Sequence, residues 1–341
     1  MVSAIIPARN EEASIARAVE SVAAQPEIGE VIVVDDQSTD GTASALAELA
    51  RRLPKVKVVN AGDLPPGWVG KNHAAGVGAA QAKGEWLLFT DADTYHLPGA
   101  TRRALVDAVD HNAVLVSYSP EQELETWWER ALIPYIFCRL AAKFSYARIN
   151  SSDHQDAAAN GQFILILRDA YEQGGGHAAI KGEVLEDVEL ARRMKRMGFT
   201  IYFTAPYGVV RTRMYRSFRA MWEGWTKNLY ALSGGDSKSA IWELGHALSL
   251  PLLVAFFFLS NGKAVIEAPG FWLSVLAVAL VAWHGLYGIE LYRSLYPVSY
   301  IKYLVPGMCL YAGVLVSSWW KSTHGTIEWK GRRYTPKAGE V

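Results

Sequence analysis

Three places in the chain set carboxylates close enough in sequence to act together. Asp35 and Asp36 stand in Val33-Val34-Asp35-Asp36-Gln37-Ser38-Thr39-Asp40-Gly41-Thr42. Asp91 and Asp93 flank Ala92 in Phe89-Thr90-Asp91-Ala92-Asp93, and Glu186-Asp187 lies in Leu185-Glu186-Asp187-Val188-Glu189. Acidic side chains do not hold a phosphate directly. They hold hydroxyls and base N–H groups, or a cation that in turn holds the phosphate. Two carboxylates at alternate positions just beyond a strand suit a hard divalent ion, Mg²⁺ or Mn²⁺, with a diphosphate supplying further oxygens. An acidic pair at a helix start complements the helix dipole. Beside a metal–diphosphate site, the same pair can take a proton from an incoming hydroxyl. Lys71 follows Leu64-Pro65-Pro66-Gly67 near a helix start, where an ammonium and free N–H groups together suit a diphosphate. Singly, each acidic pair is more often a turn or a cap; their joint placement gives them weight.

That placement depends on the elements around them. Val2-Ser3-Ala4-Ile5-Ile6 reads as a strand, as do 30–34, 56–59, 86–89 and 114–116. Helices are expected over 11–24, 42–52, 72–82 and 98–110. Strands alternating with helices imply βαβ units and a mainly parallel sheet, whose ligands bind outside the carboxyl ends of the strands. Asp35-Asp36 and Asp91-Ala92-Asp93 fall at such ends, and Pro7-Ala8-Arg9-Asn10-Glu11-Glu12 follows the first strand. That segment holds no glycine fingerprint for a dinucleotide, and the chain has no Gly-Lys-Ser/Thr phosphate loop. Asn160-Gly161-Gln162-Phe163 precedes an apolar strand at 164–167, and Glu186-Asp187 stands at the start of a later helix.

Composition divides the chain. Its 341 residues carry 34 basic and 34 acidic side chains, half of all residues are hydrophobic, and a disordered chain or a strongly basic nucleic-acid binder is excluded. Cys138 and Cys309 are too far apart in sequence for a metal knuckle or a disulfide framework. The zero net charge is a sum of −3 over residues 1–239 and +3 over 240–341. Residues 240–320 hold six charges, and three apolar stretches (240–260, 270–289, 301–320) approach the ~20 residues a membrane helix needs. Trp242, Trp272, Trp319 and Trp320 stand near their ends, as aromatic belts do. With no export signal before the first strand, the polar part is expected in the cytoplasm. Three spans would put the tail outside, whereas its basic residues (Lys321, Lys330, Arg332, Arg333, Lys337) favour the inside. The first stretch, with Glu243 and His246, is the candidate for a re-entrant or interfacial segment. Trp127-Trp128 with 133–144 reads as another interfacial helix, and the Arg- and aromatic-rich run 211–227 admits an amphipathic helix at lipid headgroups.

Taken in order, Ile5-Ile6-Pro7-Ala8-Arg9-Asn10-Glu11-Glu12, Val33 to Thr42 and Phe89 to Asp93 resemble a family 2 glycosyltransferase of GT-A fold, over residues 1–230. Leu64 to Ala74, with Trp68-Val69-Gly70-Lys71-Asn72-His73, and Trp329-Lys330-Gly331-Arg332-Arg333-Tyr334 look like a membrane-bound subgroup that includes hopanoid-associated and carotenoid (diaponeurosporenoate-type) glycosyltransferases. The resemblance implies a Rossmann-like α/β sheet flanked by helices and followed by transmembrane helices. It implies a catalytic domain at 1–230 (nucleotide-sugar half 1–118, acceptor half 119–230), a membrane domain at 240–320 and a basic tail at 321–341. By the same likeness, Pro7, Arg9 and Glu11 would line the nucleoside pocket, and Asp35 and Asp36 would hold base or ribose. Asp91 and Asp93 would bind the donor and its Mg²⁺ or Mn²⁺, and Asp187, beside Glu186, would be the general base. Arg213, Trp225 and Lys227 would cover the donor diphosphate, while Gly161 and Gln162 lie on the acceptor side. Gly224-Trp225-Thr226-Lys227-Asn228 departs from the Gln-X-X-Arg-Trp motif of processive relatives, which argues against polymer synthesis.

The implied activity is inverting transfer of one sugar from a UDP- or GDP-type donor to a lipid or isoprenoid acceptor. The implied place is the cytoplasmic face of a bacterial-type cell membrane, with no nucleic-acid partner. Two other readings share parts of the pattern. A sugar-phosphate nucleotidyltransferase would carry a glycine-rich basic loop where Pro7 to Glu12 is acidic and glycine-free. A non-catalytic membrane-bound nucleotide-sugar binder would have no need to keep Asp36, Asp91, Asp93 and Asp187 together.

Overall fold

In a computed structural model of the chain, residues 1–259, 269–325, 327–329 and 332–334 are described. Residues 326, 330–331 and 335–341 of the basic tail, Lys330 and Lys337 among them, lie outside these. The described residues form two compact units, one of residues 1–123 and 144–214, the other of 124–143 and 215–341.

The first unit is built on a seven-stranded sheet. In chain order its strands are β1 (Val2–Ala8), β2 (Ile28–Asp35), β3 (Val56–Asn60), β4 (Trp86–Phe89), β6 (Leu115–Tyr118), β8 (Ile164–Leu167) and β9 (Ile201–Thr204). Their spatial order is β3-β2-β1-β4-β8-β6-β9. β1 pairs in parallel with both β2 and β4, β2 with β3, and β6 with β9; β8 runs antiparallel between β4 and β6. Nearly every residue of β1 is buried, as expected of a strand covered on both faces. The strand period of two sends Ile5 to one core, with Ala74, Ala75 and Leu190. It sends Ala4 and Ile6 to the other, with Ile15, Val19 and Ala104.

The covering helices are α1 (Ile15–Ala23), α2 (Thr42–Arg52), α3 (Gly70–Gln81), α4 (Ala100–Asp110), α6 (Tyr146–Ile149), α7 (Arg168–Gln173) and α8 (Glu186–Arg196), with a 3₁₀ turn at Gly176–Ile180. From β1 the chain steps outward to β2 and β3, then returns past β1 to β4 on its other side. Loops on the two flanks of β1 therefore diverge, leaving a crevice at the carboxyl ends of β1 and β4. A second sheet of β5 (Thr94–His96), β7 (Glu121–Gln122) and β10 (Val210–Thr212) adjoins β4, with β10 in the middle. It was not expected from sequence. β10 takes Arg211 into a strand, and the next helix begins only at Phe218, where the Ser217 hydroxyl accepts from the Ala220 N–H (3.2 Å). The run 211–227 is thus a strand, a turn and a helix.

The second unit is helical: α5 (Trp127–Lys143), α9 (Phe218–Ser233), α10 (Ser237–Leu259), α11 (Pro269–Arg293) and α12 (Leu304–His324), with a hairpin of β11 (Ile327–Trp329) and β12 (Arg332–Tyr334). Segments Ser237–Leu259, Gly270–Arg293 and Val298–His324 are long and apolar enough to cross a membrane. α5 and α9 pack on α12. A Cβ built at Gly307 would stand 2.4 Å from the Ala131 carbonyl, so α5 and α12 meet backbone to backbone, and glycine is required there. Arg139 of α5 makes a two-pronged ion pair with Glu243 of α10 (2.9 and 3.1 Å), and the Tyr311 hydroxyl of α12 donates to the same carboxylate (3.2 Å). Glu243 inside an apolar helix is thereby explained: it is the acceptor for two neighbouring helices.

Candidate active site

The cleft at the switch point of the sheet is lined by Pro7 of β1, Phe89, Thr90 and Asp91 at the end of β4, Lys71 and Ala75 of α3, Gly161, His177, and Glu186 and Asp187 of α8. Each wall has a local reason. α3 starts after the Pro65-Pro66-Gly67 turn, where Gly67 adopts φ +80°, a left-handed value that favours glycine. The next-door side chain, Asn72, is fully buried and donates to the carbonyls of Ile180 (2.8 Å), Lys181 (3.3 Å) and Glu183 (2.9 Å). The Val69 N–H donates to the Lys181 carbonyl (2.7 Å). The start of α3 is thus bolted to the segment that leads into α8.

Across this joint, the Lys71 ammonium bridges Asp91 (2.8 Å) and Glu186 (2.7 Å). Burial works against its charge, but Asp91, Glu186 and Asp187 together outweigh that and raise its pKa well above the usual lysine value. Asp187 accepts from the Gly161 N–H (2.8 Å) and the Val188 N–H (2.8 Å). Burial and repulsion from Glu186 nonetheless lift its carboxyl to about 6, against the opposing pull of Lys71 and the two N–H groups. A carboxylate poised there sits close to the working range of a general base. His177, buried against Phe89 and paired through Nδ1 with the Tyr171 hydroxyl (2.8 Å), is pushed down to about 4 by burial. It stands neutral on the cleft wall.

The other sequence-derived candidates divide into groups. Asp35 closes a turn, its Oδ1 accepting from the Ser38 N–H (3.1 Å). Asp36 is 4% exposed, with its N–H on the Ala8 carbonyl (2.8 Å). Arg9 donates to the main-chain carbonyls of Asp36 (2.5 Å) and Gln37 (3.3 Å), and Glu11 accepts from the Ser14 hydroxyl (2.9 Å) while its N–H donates to Thr42 (2.8 Å). These contacts lace the loops after β1 and β2 together. Two residues at left-handed φ, Asn10 and Gln37, shape the same loops, and the Asn10 side chain accepts from the Thr39 N–H (2.8 Å).

Asp93 accepts from the Thr94 hydroxyl (3.3 Å), and its carbonyl accepts from Thr212 of β10 (3.2 Å). The Gln162 side chain turns into the protein rather than into the cleft. It is 4% exposed and donates to Thr212 (3.3 Å), while the Gln162 main-chain carbonyl accepts from the Thr90 hydroxyl (2.7 Å). Gly161 meets the cleft. Arg213 follows β10 in the first unit, whereas Trp225 and Lys227 lie on α9 of the second. Sequence reading missed the bridge through Lys71 and the Asn72 joint. The signal for the first was present, since a lysine placed in a site with Asp91, Glu186 and Asp187 needs a partner.

Among the described residues, no three His, Cys, Asp or Glu side chains stand together as a ready metal cage. The donor set at the end of β4 is nevertheless all oxygen. Mg²⁺ and Mn²⁺ are commonly held by one or two carboxylates plus substrate phosphates, so Asp91 and Asp93 fit such an ion only when a ligand completes the shell.

The fold is shared with a mannosyltransferase from Pyrobaculum calidifontis, solved with GDP-Man and Mn²⁺, at 21% identity, TM-score 0.55 and coverage of 94% of this chain and 87% of that one. A 4,4'-diaponeurosporenoate glycosyltransferase of Staphylococcus aureus (strain MRSA252) is 27% identical over 97% of this chain and 87% of its own length. Its counterpart in Staphylococcus haemolyticus (strain JCSC1435) is 27% identical over 67% of this chain and 60% of its own. The profile of Glycosyl transferase family 2 matches residues 3–175, the stretch from β1 through α7 that carries Asp35, Asp36, Asp91 and Asp93, and the chain is a member of that family.

Proposed function

We propose that this glycosyltransferase moves one sugar from a nucleoside-diphosphate sugar to a lipid or isoprenoid acceptor, with inversion, at a membrane surface. The observation that carries the reading is the poise of Asp187: a carboxylate raised to about 6, fixed by the Gly161 N–H, facing a cleft that also holds Lys71 and Asp91. The strand-end loops suit the donor. Asp35 and Asp36 offer acceptors for ribose or base N–H groups, with Pro7, Arg9 and Glu11 shaping that pocket. Asp91 and Asp93 would hold a divalent ion, and that ion would supply charge neutralisation to the departing diphosphate.

The chain's own groups do the rest. Asp187 takes the proton from an acceptor hydroxyl as its oxygen bonds to the anomeric carbon and the sugar–phosphate bond breaks, the electron pair leaving with the diphosphate. An acceptor carboxylate would attack already ionised and need no proton removed. Lys71 offers its ammonium to the diphosphate, and neutral His177 keeps the wall free of a competing charge. Direct displacement at one centre gives a β-linked product from an α-linked donor. The apolar segments of the second unit are long enough to supply the attachment that an acceptor dissolved in lipid requires; in this reading the protein crosses a cell membrane several times, with the first unit on the cytoplasmic side.

The S. aureus relative carries a carotenoid acid in its name, which favours an isoprenoid acceptor here. The test is release of UDP or GDP from a panel of nucleotide sugars by the purified chain in detergent with Mn²⁺. Release that requires an added polyisoprenoid alcohol or acid is the expected result; release with soluble acceptors alone would overturn the acceptor class.

A further inference from the structure

The acidic cleft carries its own cation. Lys71 shares Asp91 and Glu186 at 2.8 and 2.7 Å, and three features make this a built contact. Asn72, fully buried, fixes the start of α3 through three carbonyls of residues 180–183. Glu186 itself is 8% exposed and is the first residue of α8. At Gly161 a Cβ would stand 2.8 Å from the Lys71 Nζ, 3.1 Å from Glu186 Oε1 and 3.5 Å from Asp187 Oδ2, so a side chain there would displace the bridge. The Gly161 backbone has little room to yield, since its N–H is held by Asp187 and its neighbours bond to Ser117 and Thr90.

We propose that Lys71 locks the donor-free site: its ammonium occupies Asp91 and keeps a divalent cation off that carboxylate until a nucleoside diphosphate draws the ammonium away. A divalent ion sharing the Asp91 oxygens would stand against a full positive charge. A diphosphate offers that ammonium new charged acceptors and brings oxygens of its own to the ion. Ion and nucleotide therefore bind as a couple, each raising the affinity for the other by the same factor. The inference deepens the proposed donor reading and rests on it.

The test measures Mn²⁺ binding to the full chain in detergent, by electron paramagnetic resonance of the free ion, with and without UDP or GDP. For the wild type, nucleoside diphosphate should tighten Mn²⁺ binding at least tenfold. In Lys71→Met, Mn²⁺ alone should bind at least tenfold more tightly than to the wild type, and the nucleotide should add less than threefold. Adding Asp91→Asn to that variant should abolish the gain, which locates it. Gly161→Ala, which keeps the lysine but crowds its ammonium, should also tighten Mn²⁺ alone, and it decides the matter if Lys71→Met does not fold. Unchanged Mn²⁺ affinity in both variants, with coupling intact, overturns the lock. A wild type that binds neither nucleotide in the presence of Mn²⁺ contradicts the donor reading instead, while the comparison with Mn²⁺ alone still decides whether Lys71 excludes the ion.

Discussion

The Asp187 carboxylate accepts its hydrogen bond from the backbone of Gly161, 26 residues upstream, at 2.8 Å. A side chain proposed as the base is thus aimed by a main-chain group, which holds it in place without adding a titrating partner. Glu186, Lys71, Asp91 and neutral His177 are the charged and titratable groups that line the cleft with it.

A pH dependence follows. Asp187 works as a base only when ionised, and burial with Glu186 repulsion has raised its titration to about 6. Transfer to a hydroxyl acceptor should therefore hold above pH ~6 and fall about tenfold per pH unit below it. Glu186→Gln removes the repulsion, so the acid limb of kcat/KM should move to lower pH. A limb that stays put in that variant would remove Asp187 from the titration.

The polar chain Thr90–Gln162–Thr212–Asp93 should act on the donor site through position alone. Thr212→Val keeps the shape but strands the buried Gln162 amide and the Asp93 carbonyl. The loss should be about 1–3 kcal/mol of stability, read by denaturant unfolding, with a raised KM for the nucleotide sugar and a smaller change in kcat.

These relationships show what the sequence could and could not disclose. The strands and the acids at their ends were legible, because β-branched runs and alternating helices are local patterns. Strand β8 was visible as Ile164–Leu167, but its antiparallel place between β4 and β6 was not. Nor was the small sheet around β10, since strands of two and three residues leave no period to detect. The site's second half was read as residue types without contacts. Gln162 looked like an acceptor ligand and is turned inward, because Thr212, 50 residues downstream, supplies its partner. α5 scatters its charges among apolar residues, and nothing local says that Arg139 will meet Glu243, 104 residues away.

Lys195, at the far end of α8 from Asp187, donates to the carbonyls of Ser151 (2.9 Å), His154 (2.9 Å) and Asp156 (2.8 Å), and at 3.4 Å to Arg148. One ammonium thus organises the loop that leads to Gly161. Lys195→Met should cost about 2 kcal/mol and speed amide exchange across 148–160. Unchanged exchange there would show that the loop holds its shape without the lysine.

In the second unit, Arg139→Ala should leave Glu243 unpaired among apolar helices, a loss of about 3–5 kcal/mol. The double variant Arg139→Met with Glu243→Gln should recover most of it. Thermal unfolding in detergent checks both, and a double variant as weak as the single would count against the ion pair as the source.

The most direct test of the whole account is Asp187→Asn, assayed in parallel for Mn²⁺-dependent binding of the nucleotide sugar and for release of nucleoside diphosphate with a polyisoprenoid alcohol as acceptor. The expected result is donor affinity within threefold of the wild type and transfer lowered at least a hundredfold. Transfer at the wild-type rate, with donor bound, would contradict the assignment of Asp187 and the mechanism built on it.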